Sequence, residues 1–309
     1  MSIRNRDISM RYVVLDLEWN IPWKRDDLPL DAEVIEIGAW LLDKELNFLS
    51  SFNRYVRGEL IDNMHPYVAK LTSRDDESLA EGISFKEAVA DILDWVDYEN
   101  KDDKLLFCTW SNNDIKPWKT NLNYYNLTWP ESIRFFDIQR LYDRSNKKIK
   151  SQKSSVDSAA HDLDIPIEKP LHKAINDAFY TAKIFQKTVK HLQEVEKFPK
   201  DPQVLFNFLY KQAVDITLNR KLKLDLGKIQ SLKEMQPIAK RYDFTCPTCH
   251  RDLIIPEEFK SSRNNRRLKT MAYCPVHGQV KVKLTAKRNR YKRDKTNSYK
   301  VNAELKLGK

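Results

Sequence analysis

Two carboxylates, Asp16 and Glu18, stand inside a run that is otherwise apolar and β-prone, residues 12–19 (YVVLDLEW). Side chains two apart on a strand share one face of the sheet. A pair of anions on a buried strand is costly unless the carboxylates are protonated or a cation compensates them, and a divalent metal compensates both at once. A chain containing this run must either open the sheet to water there or build a cation site. Alone, D-x-E on a strand is more often an exposed polar face than a catalytic pair.

The surrounding pattern gives the run a context. Residues 33–42 (EVIEIGAWLL) and 48–56 (FLSSFNRYV) have strand composition, so three consecutive strands predict an antiparallel meander. Ser84 with Glu87 forms a capping box, and Ala88, Ile92, Trp95 and Val96 recur on one face of the helix it opens. A buried strand at 104–110 (KLLFCTW), a helix after Ser111, a short strand at 133–136 and helices through Gln139 and Ser155 follow. A long helix is expected from near His172 to about Val195, with Ala178, Ala182, Phe185 and Val189 inward. Up to that long helix the order is β-β-β-α-β-α-β-α-α, an α/β arrangement.

Residues 196–202 (EKFPKDP) read as a linker, 203–218 as an amphipathic helix, and 222–237 as weakly helical and basic. The expected division is a first domain over 1–197, a helical linker region over 198–240, a small module over 241–290 and a basic tail over 291–309. A chain of 309 residues exceeds one usual hydrophobic core, which fits a large domain with an appendage. No apolar stretch approaches the roughly 20 residues that span a bilayer, and residues 1–11 alternate charges. A soluble, cytoplasmic protein without membrane association is expected.

The formal charge of +10 is unevenly spread. Residues 1–200 hold 29 basic and 34 acidic groups, net −5, whereas 201–309 hold 25 and 10, net +15. A solvated surface mixes signs, but 263–269 and 281–295 are nearly all cationic. That asymmetry points to a polyanionic partner at the C-terminal side.

The cysteines are placed for metal rather than for disulfides. Cys246-Pro-Thr-Cys249 and Cys274-Pro-Val-His277 are two C-x2-C/H turns, each able to aim two ligands at one tetrahedral Zn²⁺. Gly278 permits the left-handed conformation such a turn often needs. A site with four protein ligands is structural and would hold together a module too small for its own apolar core. His250 lacks the knuckle spacing, and Cys108 reads as a small buried hydrophobe.

Asp114 follows the strand at 104–110, where an aspartate can simply cap a helix. Asp177 lies five residues after His172, where an exposed ion-paired acid and a solvated histidine are the ordinary readings. Order changes the odds: D-x-E on the first strand, Asp after the fourth, then His-x4-Asp opening the last long helix. These residues resemble the DEDDh 3′–5′ exonuclease superfamily, through VVLDLEW at 13–19, CTWSNND at 108–114 and LHKAINDAFYTAKIF at 171–185. The resemblance covers about the first 195 residues. The 110–114 stretch is similar to the branch containing the sporulation inhibitor KapD and the histone-mRNA exonuclease ERI. Two positions depart from the family pattern: Trp19 stands where threonine is common, and Asn176 where an acid is common.

The resemblance implies an RNase H-like exonuclease fold, a mixed five-stranded sheet with flanking helices, followed here by a C-terminal zinc ribbon. It implies catalytic Asp16, Glu18, Asp114, His172 and Asp177, with the four acids holding two Mg²⁺ or Mn²⁺ ions. Asp16, Glu18 and Asp177 would hold the ion on the nucleophile side, Asp16 would bridge to the second, and Asp114 would reach it through water. Hard oxygen ligands suit those ions, which can clamp the attacking and leaving oxygens of a phosphodiester. His172 would be the general base. The expected reaction releases nucleoside 5′-monophosphates from the 3′ end of single-stranded nucleic acid, RNA favoured over DNA by the branch resemblance.

Trp19, Trp23, Trp110 and Trp118 can stack on bases or fill core; for Trp110, on a buried strand, core is favoured, while Trp19 and Trp23, beside a loop, are the better stacking candidates. Phosphate contacts are expected from Arg263, Arg266, Arg267, Lys269, Lys281, Lys283, Lys287, Arg288, Arg290, Lys292 and Arg293. Two other readings are a nucleic-acid-binding adaptor using the nuclease fold as scaffold, and a DNA-processing exonuclease. All five catalytic residue types occur in order, which a scaffold does not need.

Overall fold

The computed structural model describes residues 10–23, 30–61, 63–98, 104–147, 153–217, 221–249, 251–256, 258–288 and 298–308. The chain divides into two compact units, Met1–Thr217 and Leu218–Lys309.

In the first unit, β1 (Met10–Asn20), β2 (Glu33–Leu42) and β3 (Phe48–Tyr55) form the expected antiparallel meander. Strands β4 (Lys104–Thr109) and β5 (Ile133–Asp137) add in parallel beside β1, giving the order β3-β2-β1-β4-β5. The result is the mixed five-stranded sheet of an RNase H-like exonuclease fold. Two short helices precede the expected one: α1 (Pro66–Thr72), capped by His65, and α2 (Asp76–Ala80), closed by an Asp75–Ser78 capping box. Helix α3 (Phe85–Trp95) begins at the Ser84–Glu87 box. Helices α4 (Ile115–Tyr124), α5 (Ile138–Ser145), α6 (Val156–Asp162), α7 (Ala174–Glu194) and α8 (Pro202–Gln212) complete the unit.

Alternation along β1 divides the interior. Val13, Leu15 and Leu17 enter one apolar core with Ile92 of α3 and Trp118 of α4. Tyr12 and Val14 face the other, formed with Tyr180, Phe185 and Val189 of α7. Asp16 and Glu18 continue the Tyr12–Val14 row, so they lie on the α7 side where the strand runs out of apolar neighbours. Helix α8 also packs in this second core, through Leu205, Phe206 and Leu209, and Phe206 meets Tyr12 edge-on at 5.0 Å. The chain beyond residue 197 is thus not all linker. Burial of one face of α8 carries the first unit to Thr217.

The second unit departs further from the sequence reading. Residues 222–237, expected as helix, contain β6 (Lys221–Ile229), a 3-10 turn at Leu232–Glu234 and α9 (Met235–Arg241). The run KLKLDLGKI alternates with period two, which suits a strand. Gly227, at φ 86°, sits where the pairing register shifts. The expected basic tail contributes β10 (Tyr299–Leu307) to the interior of a sheet. With β7 (Lys260–Ser261), β8 (Arg267–Cys274) and β9 (Gly278–Arg288), the order is β6-β10-β9-β8-β7, antiparallel throughout.

One face of this sheet carries Leu268, Ala272, Val280, Val282, Leu284, Val301, Ala303 and Leu305, packed with Met235, Phe244 and Phe259. The unit therefore has an apolar core of its own, contrary to the expectation of a module held by metal alone. Among the described residues no helix is long and apolar enough to cross a membrane.

Candidate active site

The site gathers where β1 and β4 end, at the carboxyl ends of two parallel strands, the usual place for ligands in such sheets. β1 supplies Asp16 and Glu18. Asp114 is the residue before α4, at φ −69° and ψ −30°, and its side chain makes no capping bond. The ordinary explanation for an aspartate there is thereby removed, yet the residue is buried.

Asp177 lies in the first turn of α7, buried, and its Oδ2 accepts the His172 backbone N–H at 2.9 Å. Its other oxygen, Oδ1, is buried and has no hydrogen-bond partner among the described residues. His172 precedes the helix in a left-handed conformation, φ 65°, which a residue with a side chain adopts only when its surroundings hold it there. Asn176 donates to the Pro170 carbonyl at 2.8 Å and closes the same turn. An acid at position 176 would offer no N–H for that bond.

Ligand atoms of Glu18, His172 and Asp177 lie within 4.8 Å of one another. Asp16 and Asp114 join electrostatically. Burial pushes the Asp16 carboxyl well above its ordinary range, and the charges of Asp114, Asp177 and Glu18 push it further. Burial followed by Asp177, Glu36 and Asp114 raises Glu18 to about 8, against the opposing pull of Arg74. Asp114 rises to about 7, chiefly by burial. Four carboxyls that resist ionising together, one with an orphaned buried oxygen, fit the donor set of a divalent-cation site. Hard, all-oxygen acidic ligands favour Mg²⁺ or Mn²⁺ over soft metals.

Two further residues shape this site and escaped the sequence reading. Glu36 of β2 stands opposite Glu18, nearly fully buried, and accepts the backbone N–H of Ala174, the first residue of α7. Lys173, the N-cap residue, gives no side-chain cap, and the Glu36 carboxylate lies near this end of the helix, where its charge is favoured. Burial raises the Glu36 carboxyl, while Arg74 and the Ala174 N–H pull it down. Gly38 pairs with Asp16, and a Cβ there would overlap the backbone of Ala174 and Ile175. The missing side chain lets α7 lie against the sheet beside Asp16. The signal was present in EVIEIGA: an acid and a glycine in an otherwise apolar strand.

A cleft of about 470 Å³ is lined by Trp19, Ile21, Asn112, Asn113 and Lys116, among others, and by none of the four carboxylates. Trp19 is partly buried against the core, while Trp23 is 65% exposed and lies 5.7 Å from the His65 ring. Trp110 and Trp118 are buried and belong to the two cores.

In the second unit the knuckles converge as expected. Cys246 Sγ lies 3.7 Å from His277 Nδ1, Cys249 Sγ 3.7 Å from Cys274 Sγ, and Cys274 Sγ 3.8 Å from His277 Nδ1. A tetrahedron with bonds of about 2.3 Å has edges of about 3.8 Å, so the four atoms fit one Zn²⁺. Burial raises the Cys274 thiol, but the His277 and Val276 N–H groups and the His277 ring outweigh it and bring it to about 6, favouring the thiolate a metal needs. Gly278 adopts the left-handed φ of 73°. Cys108 is buried among apolar side chains and belongs to neither candidate metal cluster.

Of the expected phosphate-contacting residues, Arg263, Arg266, Arg267, Lys269, Lys281, Lys287 and Arg288 are exposed and Lys283 partly so. Arg290, Lys292 and Arg293 lie outside the described residues, as does His250.

Comparison with known proteins agrees with this geometry. A full-length 3′-exonuclease crystal structure superposes with a TM-score of 0.51 at 18% identity, covering 60% of this chain and 83% of that one. The nuclease domain of 3′hExo, a DEDDh family member bound to rAMP, gives 0.52 at 18% identity, covering 62% and 96%. A 3′-exonuclease described in 3′-end-specific recognition of a histone mRNA stem-loop gives 0.52 at 17%, covering 60% and 84%. A search of curated proteins finds no match. The RNase T exonuclease family model matches residues 13–185, a span that holds all five residues of the acidic site and more than half the chain. The protein belongs to the RNase T exonuclease family and is a metal-dependent nuclease.

Proposed function

We propose that this protein removes nucleotides from the 3′ end of single-stranded nucleic acid, RNA in preference to DNA, releasing nucleoside 5′-monophosphates. The observation that carries the reading is the convergence of four acids, Asp16, Glu18, Asp114 and Asp177, at the strand ends with His172 beside them. Two divalent ions, held by Asp16, Glu18 and Asp177 and by Asp16 with Asp114, would supply the positive charge that favours attack by water and departure of the 3′ oxygen.

The chain's own groups account for the rest. His172, exposed at the mouth of the site, takes the proton of the attacking water. Asp177 fixes the backbone of His172 through the 2.9 Å bond, so base and acid ligand are set by one turn. Trp19, which follows Glu18 in the chain and lines a cleft, offers a ring for the terminal base. The preference for RNA draws support from the rAMP and histone mRNA stem-loop complexes of the similar structures. Phosphate contacts farther along the strand are assigned to the basic second unit.

Matched single-stranded RNA and DNA, labelled at either end, test the reading with Mg²⁺ or Mn²⁺ and with an Asp16→Asn variant. The expected result is stepwise shortening from the 3′ end, faster on RNA and absent in the variant. Shortening from the 5′ end, or equal activity in the variant, would overturn it.

A further inference from the structure

The outer face of the second unit's sheet is unusual in what it places side by side. Cross-strand partners share a face, and the pairing puts Lys260 opposite Lys269, Lys269 opposite Lys283, and Lys281 opposite Lys306. Like charges directly opposite one another destabilise a sheet. The Lys260–Lys269–Lys283 row continues through Glu304 to Lys223, and Glu304 lies 4.0 Å from Lys283. Among the described residues, Glu304 and Asp225 are the acids of the strands on this face, and Glu258, just before β7, lines a cleft with Lys260, Lys269, Met271 and Lys281.

Two ordinary explanations do not cover the pattern. Lysines protect exposed edge strands from pairing with other chains, but Lys269, Lys281, Lys283 and Lys306 stand on the interior strands β8, β9 and β10. A solubilising surface intersperses signs, whereas this one places lysine directly opposite lysine at three pairing positions. The opposite face is wholly committed to the core, so the strands cannot slip by one residue to relieve the repulsion without burying lysine.

We infer that this lysine lattice is a seat for the sugar-phosphate backbone of a polynucleotide, bound without regard to base sequence. The inference rests on the nucleic-acid substrate proposed above and names where the strand beyond the 3′ end is held. Rows about 4.8 Å apart across strands and positions about 7 Å apart along them present a regular array of point charges, suited to phosphates rather than to base edges. Met271 and Tyr273, both about half exposed on β8 of the same face, give an unpaired base an apolar surface to lie on. The repulsion that the folded sheet tolerates is relieved when a polyanion displaces small counterions from it.

The test uses the full-length protein in an Asp16→Asn background, which separates binding from hydrolysis, with labelled single-stranded RNA and DNA over a salt series. Lys269→Gln, Lys281→Gln and Lys283→Gln are combined and compared with a control carrying Lys233→Gln, Lys240→Gln and Arg241→Gln. The control positions are exposed, on or beside the helical turns that pack against the inner face. The slope of log affinity against log salt should fall by about 2 in the lattice variant, at about 0.7 per lost contact on single strands, for RNA and DNA alike. It should stay at the parental value in the control.

The lattice variant should also melt no lower than the parent, because like-charge contacts are removed. Equal slopes in both variants would show diffuse attraction and overturn the seat. A change on RNA but not DNA, or a fall in affinity matched by unfolding, would overturn it too. Failure of the protein with Asp16 intact to shorten labelled strands would count against the proposed enzyme reading alone.

Discussion

The two units handle like charge in opposite ways. The first, with 30 basic and 36 acidic residues, net −6, packs its decisive carboxyls together partly or fully buried. The second, with 24 and 8, net +16, spreads its lysines over a flat exposed face. Buried repulsion is strong and local, and only a small multivalent cation fits within it. Exposed repulsion is weak per pair and extended, and a long flexible polyanion matches it. On the proposed reading, the first unit holds the catalytic metal and performs the cut, while the second holds the strand.

The largest blow to this contrast should come from the buried side. Asp177→Asn keeps the shape of the turn but removes a ligand charge, and strand shortening should fall to background in a gel assay while affinity for the strand persists. Loss of binding in step with hydrolysis would erase the distinction between the units. Gly38→Ala should follow: the added methyl pushes against Ala174 and shifts α7 from Asp16, and a displacement near 1 Å costs about a hundredfold in rate. Steady-state kinetics should place that loss in kcat rather than KM.

On the other side, Cys274→Ser should remove one zinc per chain by elemental analysis and lower the melting temperature of the second unit. The packed core should leave that unit's sheet signal largely in place, unlike a zinc finger that unfolds without metal. Complete unfolding would mean that the apolar core contributes less than its burial indicates.

A smaller effect separates the regions by pH. Unfolded carboxyls ionise near 4, whereas Glu18 holds its proton to about 8 and Asp114 to about 7. Between those limits the unfolded state binds fewer protons than the folded one, so without divalent metal the first unit loses stability as pH rises from about 5 to about 8. Thermal melting with and without Mg²⁺ should show the loss shrinking when metal is present. The subtlest change is Glu36→Gln, which keeps a hydrogen-bond acceptor for the Ala174 N–H and should reduce kcat by less than about tenfold.

The sequence displayed its charged motifs far better than the geometry that supports them. Asp16 and Glu18 were conspicuous because acids interrupt an apolar run, and the knuckles because Cys-x2-Cys spacing is rarely accidental. Glu36 is equally acidic in an equally apolar strand, but its partner is a backbone N–H far along the chain, which no local pattern discloses. The role of Gly38 depends on the same packing of α7 across β2. Strands β6 and β10 were masked by composition. In KLKLDLGKI and YKVNAELKL the lysines suggested a basic linker and tail, while the period-two placement of leucine, valine and alanine carried the structural information.

The seat of β10 between β6 and β9 also has a kinetic consequence. Lys223 meets Glu304 across about eighty intervening residues, a long loop to close before that pairing repays its entropy. Until β10 docks, β6 and β9 each expose an open edge able to recruit a neighbouring chain. Lysines at alternate positions of β6 and β9 make such recruitment unfavourable. The same residues would then guard the unfinished sheet against aggregation before they serve the finished one.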